Sequence, residues 1–129
     1  MLNSILLVDD NNATNYIHEK NLVKANCAKE IKAFQVGQLA LDYLDDTSNA
    51  LPDIIFVDIN MPTMDAWEFI EEYKLIKRAN KDKVKIFLLT TSLIPKDEAK
   101  INTLDKVVSA VIMKPLTTES IQDILTENY

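Results

Sequence analysis

Three runs of four consecutive apolar residues, Ile5–Val8, Ile54–Val57 and Ile86–Leu89, constrain this chain more than any other feature. A strand that is apolar at every position has both faces buried, so its sheet must be covered on two sides. Parallel sheets wrapped in helices meet that demand. The stretches between the runs carry helix signals. After Ile5–Val8, the cluster Asp9-Asp10-Asn11-Asn12 caps a helix through about Ala25. Glu30–Phe34 reads as a second strand, and Gly37 precedes the apolar stripe Leu39, Ala40, Leu41 and Leu44 of a short helix. Pro62 breaks the loop after Ile54–Val57. A helix follows from about Ala66 to Arg78 on a rough stripe of Trp67, Ile70, Tyr73 (or Lys74) and Ile76 (or Lys77). Val84–Leu89 is the fourth strand. Pro95 with Asp97 and Glu98 marks a helix start, with acids at the positive end of its dipole. Val111–Met113 is the last strand, and Thr117-Thr118-Glu119 opens a final helix.

Five β–α units without hairpins define an α/β chain: a doubly wound, five-stranded parallel sheet with helices on both faces, joined by right-handed crossovers. The flavodoxin-like order 2-1-3-4-5 suits this count, and ligands of such sheets sit at the strand carboxyl ends. The chain has 129 residues and no linker, repeat or low-complexity stretch, so residues 1–129 are expected to form one domain.

Several function classes are poorly supplied. A net charge of -6 argues against a direct grip on nucleic acid or anionic lipid, both of which need a basic patch. Apolar runs of four residues are far too short to span a membrane, and Met1–Leu2–Asn3–Ser4 offers no secretory signal. The lone Cys27 has no internal disulfide partner and reads as a small part-buried hydrophobe, which points to a reducing cytoplasm. One glycine, Gly37, leaves no phosphate-cradling loop. One histidine, His18, gives little for a His–Cys zinc site or a Ser–His–Asp triad. His18-Glu19 begins a metalloprotease-like string that no second histidine completes, and His18 is read as a helix residue.

The strand ends are where chemistry gathers. They carry Asp9-Asp10, Asp58, Thr90-Thr91 and Lys114, whereas the second strand ends in Gln35-Val36. Taken singly, each has an ordinary explanation: helix caps, a solvated strand end, a β-branched strand residue, a surface lysine. Together they put three carboxylates, a hydroxyl and an amine on one rim. Crowded carboxylates favour a hard divalent cation, and Mg2+ suits a site of oxygen donors that leaves room for water. The cation would lower the charge on Asp58 and screen an incoming phosphoryl oxygen. Lys114 can pair with a carboxylate or a phosphoryl group, and Thr90 supplies a hydroxyl donor. These are the parts of a phosphoryl-transfer site, where positioning and charge neutralisation do most of the work.

Over essentially its whole length the sequence resembles the response-regulator receiver family of two-component signalling systems, chemotaxis regulators among them. The matching strings are Leu6-Leu7-Val8-Asp9-Asp10, the run from Asp53 to Asp65 through Asp58 and Met61-Pro62, Leu89-Thr90-Thr91-Ser92, and Lys114-Pro115-Leu116. The resemblance implies that Asp58 is the phosphoacceptor and Asp10 a direct Mg2+ ligand. Asp9 would hold the metal through water, and the backbone carbonyl of Asn60 would complete the protein ligands. Thr90 and Lys114 would contact the phosphoryl group, with a cis peptide bond before Pro115. The implied function is a phosphoprotein switch rather than an enzyme. It takes phosphate from a sensor histidine kinase or a histidine phosphotransfer protein. It then acts on a downstream protein through the face made by the fourth helix, fifth strand and fifth helix, binding neither nucleic acid nor membrane.

The sequence also departs from the family. Ala66 and Ala110 stand where glycine is common, and Val111 stands where the family has a Tyr or Phe that swings inward. Valine is too short and too stiff for that movement, so coupling from Thr90 is expected to run through the backbone of the Thr90–Pro95 loop. Two other functions compete with this one. A haloacid-dehalogenase-type phosphatase wants Asp-x-Asp after its first strand, and this chain has Asp9-Asp10-Asn11. A receiver-like module that has lost phosphorylation should lack one of the acids, Thr90 or Lys114, and all are present. An FMN phosphate would be repelled by the acidic first loop. A stand-alone regulator and a domain of a hybrid kinase both remain open, with Met1 so close to the first strand leaning toward a natural start.

Overall fold

The structure is a computed structural model that describes residues 1–91 and 107–129. In chain order the elements are β1 (Leu2–Val8), α1 (Asn12–Ala25), β2 (Ala28–Phe34), α2 (Gly37–Asp45), β3 (Ile54–Asp58), α3 (Ala66–Leu75), a single 3-10 turn (Lys81–Lys83), β4 (Lys85–Thr90), β5 (Val108–Met113) and α4 (Thr118–Asn128). The strands form one five-stranded parallel sheet in the order β2-β1-β3-β4-β5. The helix expected after Pro95, and the part of the Thr90–Pro95 loop beyond Thr91, lie outside the described residues.

Side chains on successive strand residues point to opposite faces, and the apolar runs divide accordingly. Leu6, Val8, Ile55, Val57, Ile86 and Leu88 face α2 and α3, packing on Leu41, Leu44, Phe69, Ile70 and Tyr73. Ile5, Leu7, Ile54, Phe56, Phe87 and Leu89 face α1 and α4, packing on Leu22, Ile121 and Ile124. Every residue of β3 is buried. A polar substitution at Ile54, Ile55, Phe56 or Val57 would therefore meet a dry core whichever face it pointed to.

Local chemistry sets the helix limits. The Asn11 side chain accepts the Thr14 amide at 3.0 Å, and Asn26, in the left-handed region at φ 51, closes α1. Asp65 caps α3 by accepting the Glu68 amide at 2.9 Å. Thr117 and Ser120 form a reciprocal capping box at the start of α4. Gly37 opens α2 against Met64, whose Sδ would lie 2.9 Å from any added Cβ. The residue is small here because the loop after β3 crosses it closely.

Some boundaries differ from the sequence expectation. The strands β1, β2 and β5 each begin two or more residues earlier than their apolar cores, because ladder pairing continues through polar residues such as Ser4 opposite Glu30. Helix α3 stops at Leu75 rather than Arg78. Ile76 turns extended yet stays in the core, and the Arg78 guanidinium reaches back to the carbonyls of Leu44 and Asp46 at 2.9 and 3.3 Å. Helix α1 runs to Ala25 as expected, and the sequence carried no expectation of which residues it buries. Its buried residues are Asn15, His18 and Leu22, so the side turned to the protein is mostly polar.

Candidate phosphoryl-acceptor site

The register of the sheet brings the rim residues level. Val8 pairs with Val57, which puts Asp9 beside Asp58; Asp58 pairs with Leu89, and Thr90 with Met113. Backbone bonds carry the ladder past the strand ends, from the Asp9 amide to the Phe34 carbonyl at 3.0 Å, from Ile59 to Leu89 at 2.9 Å and from Lys114 to Thr90 at 2.8 Å. The central strands thus hold the start of each functional loop rigidly.

The carboxylates of Asp9, Asp10 and Asp58 offer oxygens that all lie within 4.8 Å of one another. Asp9 and Asp58 are 2% and 6% exposed, whereas Asp10 faces solvent. The Lys114 ammonium stands between the two buried acids, 2.7 Å from Asp9 Oδ2 and 3.0 Å from Asp58 Oδ1. Asp9 Oδ1 accepts the Asn11 amide at 2.9 Å, so both oxygens of Asp9 are engaged. Asp10 is the acid left open to an incoming cation. Among the described residues, three carboxylates against one ammonium leave two negative charges uncompensated, which matches a divalent ion in charge and in its preference for oxygen.

Protonation follows the same geometry. Burial pushes the Asp58 carboxyl above its ordinary value; the Lys114 hydrogen bond opposes this, the Asp9 charge adds to it, and the Asn60 amide opposes it again. Burial works against the Lys114 ammonium, but its bonds to Asp9 and Asp58 and their charges outweigh burial and raise its pKa.

Other residues of the expected site are placed as follows. Thr90 ends β4 and is fully buried. Asn60 is exposed, immediately after Asp58 and Ile59. The Lys114–Pro115 peptide is cis. Val111 is half-buried on the face shared with α2 and α3. Ala66 is fully buried at the start of α3, where a helical residue needs no glycine.

Sequence reasoning missed a set of polar residues on α1. Asn15 Nδ2 donates to the Asp9 carbonyl at 2.9 Å and to the Phe34 carbonyl at 3.3 Å. His18 Nε2 accepts the Leu116 amide at 3.1 Å, and Asn21 Nδ2 donates to the Leu116 carbonyl at 2.7 Å. Asn15, His18 and Leu22 recur at helical spacing in the sequence, but that spacing does not say which backbone groups the two polar residues meet.

Comparison with known proteins gives this arrangement its context. The model of the response regulator receiver domain family matches residues 5–126. A crystal structure of a two-component response regulator from Cytophaga hutchinsonii superposes with a TM-score of 0.86 at 30% identity, covering 98% of this chain and 96% of that one. A Vibrio cholerae chemotaxis protein, at 23% identity and a TM-score of 0.74 over the full length of both chains, shares the fold. Among curated proteins, hybrid signal transduction histidine kinase D of Dictyostelium discoideum is 33% identical over 99 residues, 75% of this chain but 6% of that protein's length. A probable methanogenesis regulatory protein of Methanothrix harundinacea is 27% identical over 126 residues, 95% of this chain and 79% of that protein. The chain belongs to the response regulator receiver domain family. Receiver domains are signalling switches of two-component systems; they work with histidine kinases or phosphotransfer proteins and bind Mg2+ at an acidic cluster of the kind seen here. No helix among the described residues is long and apolar enough to cross a membrane.

Proposed function

We propose that residues 1–129 form one receiver domain in which Asp58 accepts a phosphoryl group from a sensor histidine kinase or histidine phosphotransfer protein. The observation that carries this reading is the setting of Asp58. It is a nearly buried carboxylate at the end of the central strand, 3.0 Å from Lys114 and clustered with two further acids. A carboxylate oxygen of Asp58 attacks phosphorus, the bond from phosphorus to the donor imidazole nitrogen breaks, and that nitrogen keeps the electron pair. The product is an acyl phosphate. Asp10, Asp58 and the Asn60 carbonyl, with Asp9 through water, would hold Mg2+. The ion supplies the positive charge that lets anionic phosphate approach an anionic acceptor.

Lys114 already bridges Asp9 and Asp58, so it is poised to exchange its Asp58 contact for a phosphoryl oxygen. Thr90, fully buried at the end of β4, supplies a hydroxyl from the next strand. The output is a change in a protein-binding face to which β5, α4 and the helix expected from the sequence after Pro95 contribute, with no catalytic turnover of a substrate and no nucleic-acid or membrane contact. Support for that face comes from β5, an edge strand on which Ser109, Ala110 and Met113 are exposed. A single cysteine without a disulfide fits a cytoplasmic setting.

The test is labelling with acetyl phosphate and Mg2+, read by intact mass. Wild type should gain one phosphoryl group that hydroxylamine removes, and excess EDTA should prevent it. A labelled Asp58→Asn protein, or label that resists hydroxylamine, would overturn the assignment.

A further inference from the structure

The segment that follows Lys114 is tied from outside the rim, by residues of α1. The Lys114 amide is tied to the Thr90 carbonyl on β4 at 2.8 Å. Two residues later both backbone groups of Leu116 are tied to α1, the amide to His18 Nε2 at 3.1 Å and the carbonyl to Asn21 Nδ2 at 2.7 Å. The Leu116 side chain is fully buried in the core that α1 and α4 share, so this short segment is fixed at both ends. One turn toward the N-terminus of α1, Asn15 holds the Asp9 carbonyl at 2.9 Å. A single helix therefore spaces the two partners of the 2.7 Å Lys114–Asp9 contact, which are 105 residues apart in sequence.

A helix whose buried side only needed to fill space would carry leucine or alanine at these positions. Here a histidine that is 1% exposed serves as an acceptor to a backbone amide, which requires a neutral ring with its proton on Nδ1. Burial, then repulsion from Lys114, lower its pKa against a smaller opposing effect from Asp9, and so favour that neutral form. Without His18 and Asn21, Leu116 would lose both polar anchors and the lysine backbone would keep only its tie to β4.

We propose that His18 and Asn21 are positioning residues that set the Lys114 ammonium between Asp9 and Asp58, and thereby its reach to a phosphoryl group on Asp58. The second half of this statement rests on the function proposed above; the first does not. Neither side chain is assigned contact with the reacting atoms. Their action runs through the backbone of Leu116.

The experiment uses the full chain as wild type, His18→Leu, His18→Gln and Asn21→Ala, with the fold of each checked by amide dispersion. The glutamine restores an acceptor oxygen at nearly the reach of Nε2. The readout is the ε-methylene NMR signal of Lys114, recorded first without phosphate or metal, then with Mg2+ and beryllofluoride. In wild type the two ε protons should be inequivalent, as for an ordered side chain. In His18→Leu and Asn21→Ala they should collapse to the averaged position of a solvated lysine, and His18→Gln should recover most of the wild-type signal. The beryllofluoride-induced shifts at Lys114 and Leu116 should be lost and recovered in parallel.

A Lys114 signal unchanged in the folded variants overturns the proposal, because core filling alone would then account for His18. If His18→Leu fails to fold, Asn21→Ala decides, since it removes a partly exposed side chain at the helix surface. If wild type does not respond to beryllofluoride, the proposed function fails. The phosphate-free signal still decides whether the clamp positions the lysine.

Discussion

Replacing Lys114 with methionine keeps most of the aliphatic stem and deletes the ammonium, so the loss can be read as charge rather than packing. The ammonium makes two charge-assisted hydrogen bonds, at 2.7 and 3.0 Å, to acids whose side chains are 3% and 8% exposed, and its own side chain is 13% exposed. An exposed ion pair would contribute about 1 kcal/mol or less. Breaking a fully buried one by removing one partner costs about 3–5 kcal/mol. Asp10 opens the cluster to solvent, which places this site at the lower end of the buried range, about 3 kcal/mol at neutral pH without Mg2+. For a chain of this size that is roughly 10 °C in melting temperature. The gap should shrink with Mg2+, which replaces the missing positive charge. It should also shrink in acid, because carboxylates deprived of a cation have raised folded-state pKa values and bind protons more readily folded than unfolded. The assay is urea and thermal unfolding of both proteins, with and without Mg2+, from neutral pH down through the carboxylate range. A gap below about 1 kcal/mol, or one indifferent to both Mg2+ and pH, would show that Lys114 does not neutralise a buried pair.

Asp58→Asn should be more stable than wild type at neutral pH without Mg2+. Burial raises the Asp58 carboxyl above its ordinary 3.8, so stability present below that value is lost as pH rises through the folded-state pKa. Chemical denaturation across that range checks it, and curves that do not converge in acid would count against it. Asp10→Ala should weaken Mg2+ by at least about tenfold, since even partners outside the coordination shell commonly cost that much. Titration followed by the fluorescence of Trp67, just beyond the Asp58 loop, measures this, and unchanged affinity would remove Asp10 from the ligand set. His18 should make the fold acid-sensitive. Its folded-state pKa lies below 6.5, chiefly through burial, so its contribution is complete above 6.5 and is lost as pH falls toward the folded value. In His18→Gln that limb of the stability profile should flatten. For the switch, Thr90→Ala should abolish the beryllofluoride-induced amide shifts beyond the site, and Val111→Ala should leave most of them. Equal loss in both would make the valine side chain the relay.

Much of this protein was legible along the chain because its signals are local. A strand buried on both faces must be apolar throughout, so Ile5–Val8, Ile54–Val57 and Ile86–Leu89 announce the central sheet before any contact is known. Strand ends in such a sheet meet at one rim, so Asp9, Asp10, Asp58, Thr90 and Lys114 could be grouped from their positions alone. Tertiary structure decided what those groups do to one another. Whether Lys114 faced solvent, one acid or two depends on the register of β1, β3 and β5, and only the folded sheet places it 2.7 and 3.0 Å from Asp9 and Asp58. The polar side of α1 was opaque for the same reason. Asn15, His18 and Asn21 bond to backbone groups of Asp9, Phe34 and Leu116, and backbone groups leave no trace in side-chain patterning. The end of α3 at Leu75 likewise turns on Arg78 reaching carbonyls more than thirty residues earlier in the chain. Periodicity records which residues leave water; the particular partners they meet are fixed when distant strands and helices close on one another.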